Sequence, residues 1–157
     1  MRSEATNSLA GEHRGLNALV VEDSELDFEL LTAHLKQHYM ALRTTRVEDE
    51  SSLSTALNHQ HWDIVLADHK MPRLSSGEAL MLTKKLAPDL PFIIVSGLIG
   101  EDIAVDAMHS GADDYVNKDQ LGRLIPAIER SRHAADVRGL KHEAEASAES
   151  TEAAATE

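Results

Sequence analysis

Short apolar runs alternate along this chain with segments of helical periodicity, and that alternation constrains the fold more than any other feature. LNALVV (16–21), WDIVLA (62–67) and PFIIV (91–95) are apolar over nearly their whole length. Read as a strand, such a run has no polar face to turn to water, so both sides of its sheet must be covered. Two weaker strand candidates, residues 41–47 and DYVN (114–117), complete a set of five. Amphipathic segments lie between them. Ser24 is an N-cap candidate, with Asp27 three residues on as its capping-box partner. Phe28, Leu31 and Leu35 keep helical spacing, and Leu26 and Leu30 widen that apolar face. Leu53, Ala56 and Leu57 mark a second helix, and Ala79, Leu82 and Leu86 a third that Pro88 stops. Residues 101–110 read as a fourth with Gly111 as its C-terminal stop. Leu121, Leu124, Ile125 and Ile128 give a last one, with Pro126 predicting a kink or a start nearby. Five βα units with right-handed crossovers predict an α/β, doubly wound sandwich around a parallel sheet. In such folds ligands bind beyond the carboxyl ends of the strands, where strand order reverses.

Composition narrows the function classes. Aromatic residues make up only 3% of the 157 positions, so the core is expected to be aliphatic. A formal charge of −12 argues against a general nucleic-acid binder, which needs a basic stripe to displace counterions. With no cysteine, thiolate metal sites and cysteine nucleophiles are excluded. No apolar run approaches the ~20 residues of a membrane span, and MRSEATNSLAGEHRG has no apolar signal core, which predicts a cytoplasmic protein without membrane partners. Residues 1–14 read as a disordered N-terminal segment and 15–133 as the folded domain. Residues 134–157 read as a helix extension running into an acidic Ala/Glu tail, EAEASAESTEAAATE. Its five glutamates and lack of large apolar residues predict disorder, or a frayed continuation of the last helix.

Unusual residues sit where the strands end. Glu22 and Asp23 close the first strand, Asp68 the third, Ser96 the fourth and Lys118 the fifth. On one sheet edge, three carboxylates would repel and raise one another's pKa. A hard divalent cation resolves that conflict, and Mg²⁺ takes one or two carboxylates while keeping several waters. Lysine adds a second positive charge and serine a donor. These are the parts needed to transfer a phosphoryl group onto a carboxylate. Asp68, central and solitary, is the nucleophile candidate; Asp23 is a metal ligand and Glu22 another, directly or through water. The backbone carbonyl of Lys70 is placed to complete the coordination.

VVEDS (20–24), DIVLADHKMP (63–72), IIVSG (93–97) and GADDYVNK (111–118) together resemble the receiver domain of two-component response regulators, over roughly residues 15–133. The resemblance implies a flavodoxin-like (βα)5 fold with strand order 2-1-3-4-5. It also implies Mg²⁺-dependent transfer of phosphate to Asp68 from a sensor histidine kinase or histidine phosphotransfer protein, followed by slow self-hydrolysis, a phosphoacceptor rather than an enzyme. Ser96 matches the switch hydroxyl, and Tyr115 the aromatic whose rotation accompanies it. The fourth helix, fifth strand and fifth helix would form the surface reporting the switch to an unidentified downstream protein, and a homodimer through that face is implied by resemblance. After Arg132 little apolar sequence follows, so a stand-alone receiver is expected.

Two departures stand out. Asp119 follows Lys118 where a proline, often cis, is usual, which predicts a trans turn and an acid able to compete for the lysine's charge. SSG (75–77) makes the loop after Asp68 one residue longer before its glycine. His69, next to Asp68, would lie at the mouth of the site and alter hydrolysis of the acyl phosphate or docking of its donor. Of nine histidines, His34/His38 and His59/His61 have suggestive spacings, yet no matching third ligand makes them surface residues. Gly97 and Gly100 read as turn chemistry or as flexibility where a switch must move. Leu98 and Ile99 between them read as core or as an apolar output patch. The competing functions are a phosphorylation-independent interaction module on the same fold, an aspartate phosphatase, and a flavin-binding protein. The phosphatase would need an aspartate where Lys70 stands, and the flavin protein a Ser/Thr/Gly-rich loop where EDSELD stands.

Overall fold

Strand β1 (Gly15–Val21) leads into helix α1 (Glu25–Lys36), and the alternation continues without a break. Strand β2 (Ala41–Val47) precedes α2 (Glu50–His59), β3 (Ile64–Ala67) precedes α3 (Ser76–Leu86), and β4 (Phe92–Ser96) precedes α4 (Glu101–His109). Strand β5 (Asp114–Asn117) passes through a 3-10 turn (Lys118–Arg123) into α5 (Leu124–Ala155). This computed structural model describes residues 15–97 and 100–155. The N-terminal segment 1–14 and Leu98-Ile99, on which sequence expectations were placed, lie outside the described residues.

All strand pairs are parallel, in the order β2-β1-β3-β4-β5. The topology is the flavodoxin-like doubly wound sandwich expected. The three apolar strands explain their own composition: successive side chains point to opposite faces, and along β1, β3 and β4 both faces are largely buried. Leu19, Val21, Val65, Ala67, Phe92 and Ile94 join the layer under α2 and α3. Leu16, Ala18, Val20, Ile64, Leu66, Ile93 and Val95 join the layer under α1 and α5. Burying each large side chain of this kind stabilises the fold by roughly 1.5–3 kcal/mol. Tyr39 adds a polar tie, its buried hydroxyl donating to Glu129 Oε1 at 2.6 Å and so joining the end of α1 to α5.

Several boundaries differ from expectation. Leu26 and Leu30 do not widen the buried face of α1; they are 63% and 57% exposed. The helix meets the sheet along the narrower stripe of Leu31 and Leu35, with Phe28 packed against it. Ser24 does cap α1, accepting the Asp27 N–H at 3.2 Å. The reciprocal arm of the capping box is replaced: the Ser24 N–H donates to Glu22 Oε2, and the Asp27 carboxylate goes elsewhere. Of the two alternatives at Pro126, the nearby start is the one observed: α5 begins at Leu124, two residues before it. The proline falls in the first turn, where its missing N–H breaks no helical hydrogen bond, and the 3-10 turn before it makes the bend. All described peptide bonds are trans, as Asp119 in place of proline predicted. Gly111 terminates α4 at φ 111°, a left-handed conformation that favours glycine. Helix α5 continues through the alanine- and glutamate-rich segment to Ala155.

Trp62 lies just before β3 rather than in it, buried, with its Nε1–H donating to the Ala56 carbonyl at 2.9 Å. It marks the end of the sheet opposite Asp68, about 20 Å away at ~3.3 Å per residue. Titrating Mg²⁺ should therefore leave tryptophan fluorescence within about a tenth of its starting intensity. Strong quenching would place the cation at the wrong end of the sheet.

Candidate functional site

Parallel register brings the polar strand ends together. Val21 pairs with Ala67, so the next residues, Glu22 and Asp68, leave β1 and β3 at the same level. The Asp68 N–H still donates to the Val21 carbonyl at 2.9 Å, which anchors the aspartate's backbone to the central strand. Ser96 closes β4 opposite Asn117, and Lys118 is the next residue. The expected convergence is present, with Ser96 buried, Asp68 and Lys118 part-buried, and Asp23 exposed.

Glu22, Asp68, Ser96 and Lys118 each have a definite side-chain partner. The Ser96 hydroxyl donates to Asp68 Oδ1 at 2.8 Å. Lys118 Nζ reaches Asp68 Oδ2 at 3.2 Å, Glu22 Oε1 at 2.7 Å and Asp27 Oδ2 at 2.7 Å. The acids that compete with Asp68 for the lysine are thus Glu22 and Asp27. Glu22, Asp23 and Asp68 each offer an oxygen within 4.8 Å of the other two, the metal-competent cluster found among the described residues. None of the paired histidines contributes to it. Tyr115, half-buried, donates its hydroxyl to the Gly97 carbonyl at 3.1 Å, tying β5 to the loop after β4. A Cβ at Gly97 or Gly100 would meet nothing within 4 Å, so neither glycine is there for lack of space. Lys70 is exposed on the loop beyond Asp68. His69 is half-buried and shares a 2.7 Å hydrogen bond with the Ser76 hydroxyl through Nδ1.

These contacts set the charges. Burial pushes the Glu22 carboxyl up to about 7, against the pull of Lys118, and the negative charge of Asp68 adds to the rise. Burial acts on Asp68 the same way but loses: the Ser96 hydrogen bond and the Lys118 charge hold its carboxyl below the ordinary range. Burial would lower Lys118, yet its bonds to Asp27 and Glu22 keep the ammonium firmly charged. Asp68 is therefore a fully ionised carboxylate at neutral pH, gripped on one oxygen by a hydroxyl and on the other by a cation.

The response regulator receiver domain family matches residues 18–129. The chain belongs to this family. It is 30% identical over 123 residues to a protein-glutamate methylesterase/protein-glutamine glutaminase of Maricaulis maris, covering 76% of this chain and 30% of that one. It is also 30% identical over 116 residues to the DNA-binding transcriptional regulator NtrC of Proteus hauseri, covering 73% of this chain and 24% of that one. The chain thus spans less than a third of the length of these two relatives. A crystal structure of a receiver domain protein from Clostridium thermocellum superposes with a TM-score of 0.67 at 26% identity, over 78% of this chain and 98% of that one.

Receiver domains of two-component systems work with histidine kinases and generally bind Mg²⁺ in an acidic pocket. Here the donor set fits a hard cation: three carboxylates, one exposed to admit the ion, and no sulfur or imidazole among them. Asp27 was not foreseen as part of the site. Its signal was present in EDSELD, since an acid one helical turn past the cap of α1 faces back toward the strand end. Capping statistics alone assigned it to the helix terminus.

Proposed function

We propose that residues 15–133 accept a phosphoryl group on Asp68 from a sensor histidine kinase or a histidine phosphotransfer protein. The observation that carries this reading is the pair of grips on Asp68, Ser96 Oγ at 2.8 Å and Lys118 Nζ at 3.2 Å, beside two further carboxylates. Asp23, Asp68 and the Lys70 carbonyl would hold Mg²⁺, with Glu22 acting directly or through water. The ion would supply charge neutralisation between Asp68 and the incoming phosphoryl oxygens. An Asp68 oxygen attacks phosphorus, the P–N bond of the donor phosphoimidazole breaks, and its electron pair leaves on the ring nitrogen. Lys118 and Ser96, which already donate to Asp68, turn their hydrogen bonds to the phosphoryl oxygens. Water later cleaves the acyl phosphate, so the chain acts as a timed signal rather than as an enzyme with an external product.

Withdrawal of the Ser96 hydroxyl toward phosphate would release the loop that Tyr115 holds through Gly97. Helix α4 follows that loop and is lightly packed: Ile103, Val105 and Met108 are 38%, 50% and 43% exposed. We read α4, β5 and α5 as the surface whose change a downstream protein, or a second copy, would sense. Beryllofluoride with Mg²⁺ should shift the amide resonances of Ser96, Gly97, α4 and Tyr115. An unchanged spectrum would instead favour an interaction module that works without phosphorylation.

Glu22 gives a pH dependence. Its folded-state pKa lies above its ordinary value of 4.5, at about 7. A raised carboxyl contributes stability below its unfolded pKa and loses it as pH rises through the folded one. Asp68 stays ionised across that window and adds no slope. The metal-free protein should therefore lose on the order of 2 kcal/mol between about pH 5.5 and 7.5 from this group. Mg²⁺ neutralises the same carboxylates, so the Tm gained on adding Mg²⁺ should widen over that interval. A gain that stays flat or narrows with pH, measured by scanning calorimetry, would contradict this.

A further inference from the structure

We infer that His69 and Ser76 form a side-chain strap across the loop between β3 and α3, and that the strap positions the Lys70 carbonyl; the inference rests on the phosphoacceptor reading above. His69 Nδ1 and Ser76 Oγ share a hydrogen bond of 2.7 Å. His69 is the second residue past β3, and Ser76 is the first residue of α3, 3% exposed. The bond therefore closes the loop at both of its ends. With little water near the serine, it competes with solvent less than a surface bond would.

The extra serine of the loop acquires a task. Ser75 is already committed: its hydroxyl accepts the Glu78 N–H at 3.1 Å, and its own N–H donates to Glu78 Oε1 at 3.2 Å. One serine cannot both complete that capping box and reach back to His69. Two serines in sequence do both, the first capping α3 and the second strapping the loop. The histidine beside the nucleophile and the lengthened SSG are thus one device. Its effect falls on Lys70, because Lys70 itself is exposed while its neighbours are fixed: Met71 packs on the core beneath α2 and α3, and His69 is strapped. Packing alone does not hold the histidine end. A cleft of about 270 Å³ between α3 and α4, lined by His69, Ser76, Leu80, Ile103 and Asp106, leaves that side of the loop without a wall. His69 is accordingly a positioning residue, acting through the carbonyl that follows it.

The two ring nitrogens separate this role from a chemical one. Asparagine places its amide near the position of Nδ1, and glutamine near that of Nε2. For the full chain and its His69→Asn, His69→Gln and Ser76→Ala variants, two quantities are measured. One is Mg²⁺ affinity by calorimetry; the other is amide hydrogen exchange of residues 69–72 in metal-free protein. Ser76→Ala and His69→Gln should weaken Mg²⁺ binding about tenfold, the low end for groups that orient a ligand, and speed loop exchange. His69→Asn should stay within about twofold of the wild type in both measurements. Saturating Mg²⁺ should then restore phosphorylation of Ser76→Ala. If glutamine preserves binding and asparagine does not, His69 works through Nε2 and the strap is overturned. If Ser76→Ala and His69→Gln match the wild type in both measurements, it is overturned as well. A wild type that binds no Mg²⁺ and takes up no phosphate defeats the phosphoacceptor reading itself, a result distinct from variants that merely match a binding wild type.

Discussion

Asp68→Asn is expected to lower incorporation of phosphate from acetyl phosphate and Mg²⁺ by at least about a thousandfold, because it removes the attacking oxygen's charge and nucleophilicity. The substitution should leave the fold intact. The asparagine carbonyl oxygen can still accept from Ser96, as Asp68 Oδ1 does at 2.8 Å, and the backbone N–H still donates to Val21. Lys118 keeps Glu22 and Asp27 as partners at 2.7 Å each. Far-UV circular dichroism should thus match the wild type while the alkali-labile, hydroxylamine-sensitive phosphate disappears. One electrostatic consequence runs the other way: the negative charge of Asp68 helps raise the Glu22 carboxyl, so Glu22 should titrate lower in the variant. If Asp68→Asn takes up label as the wild type does, the nucleophile is another group. Glu22 and Asp23, in the same cluster, would be mapped next.

Much of this site was legible in the sequence because its two determinants are local. An apolar run that is buried on both faces must end where the sheet ends, so a polar residue closing LNALVV or WDIVLA is already placed on an edge. Parallel topology then carries Glu22, Asp68, Ser96 and Lys118 to the same edge, since every strand runs the same way. What sequence did not reveal depends on side-chain direction. Leu26 and Leu30 keep a spacing compatible with a wide apolar stripe, yet α1 meets the sheet along a narrower line, and only packing determines how wide. Asp27 satisfied the capping pattern at its backbone N–H, which concealed that its carboxylate was free to reach Lys118. Ser76 was visible only as an extra residue. Its partner His69 is seven positions away across a loop, beyond any periodicity that a helix or strand imposes.

Lys118→Ala should be the most destabilising single change at the site, and its damage should be separable into two parts. Its ammonium lies within 3.2 Å of three carboxylates, and Glu22 has a side chain only 5% exposed. Without it, Glu22, Asp27 and Asp68 face one another uncompensated beside Asp23. Breaking a buried ion pair from one side costs about 3–5 kcal/mol. The lysine is 25% exposed, so solvent screening brings the expected loss to about 2–3 kcal/mol in metal-free protein near neutral pH. Two treatments should return part of it: Mg²⁺, which supplies charge to the same cluster, and lower pH, which protonates Glu22. Phosphorylation should fall about a hundredfold or more, the size of effect seen when a donor to developing charge is removed. Glu22→Gln combined with Lys118→Ala separates the two losses. The double variant relieves the buried charge and should regain most of the stability, but phosphoryl transfer should remain low, because neither glutamine nor alanine places a cation beside Asp68. Lys118→Ala losing no more than the ~0.5 kcal/mol typical of surface substitutions would show that the three short contacts do not bind the site together. Recovery of transfer in the double variant would show that the lysine's role is structural alone.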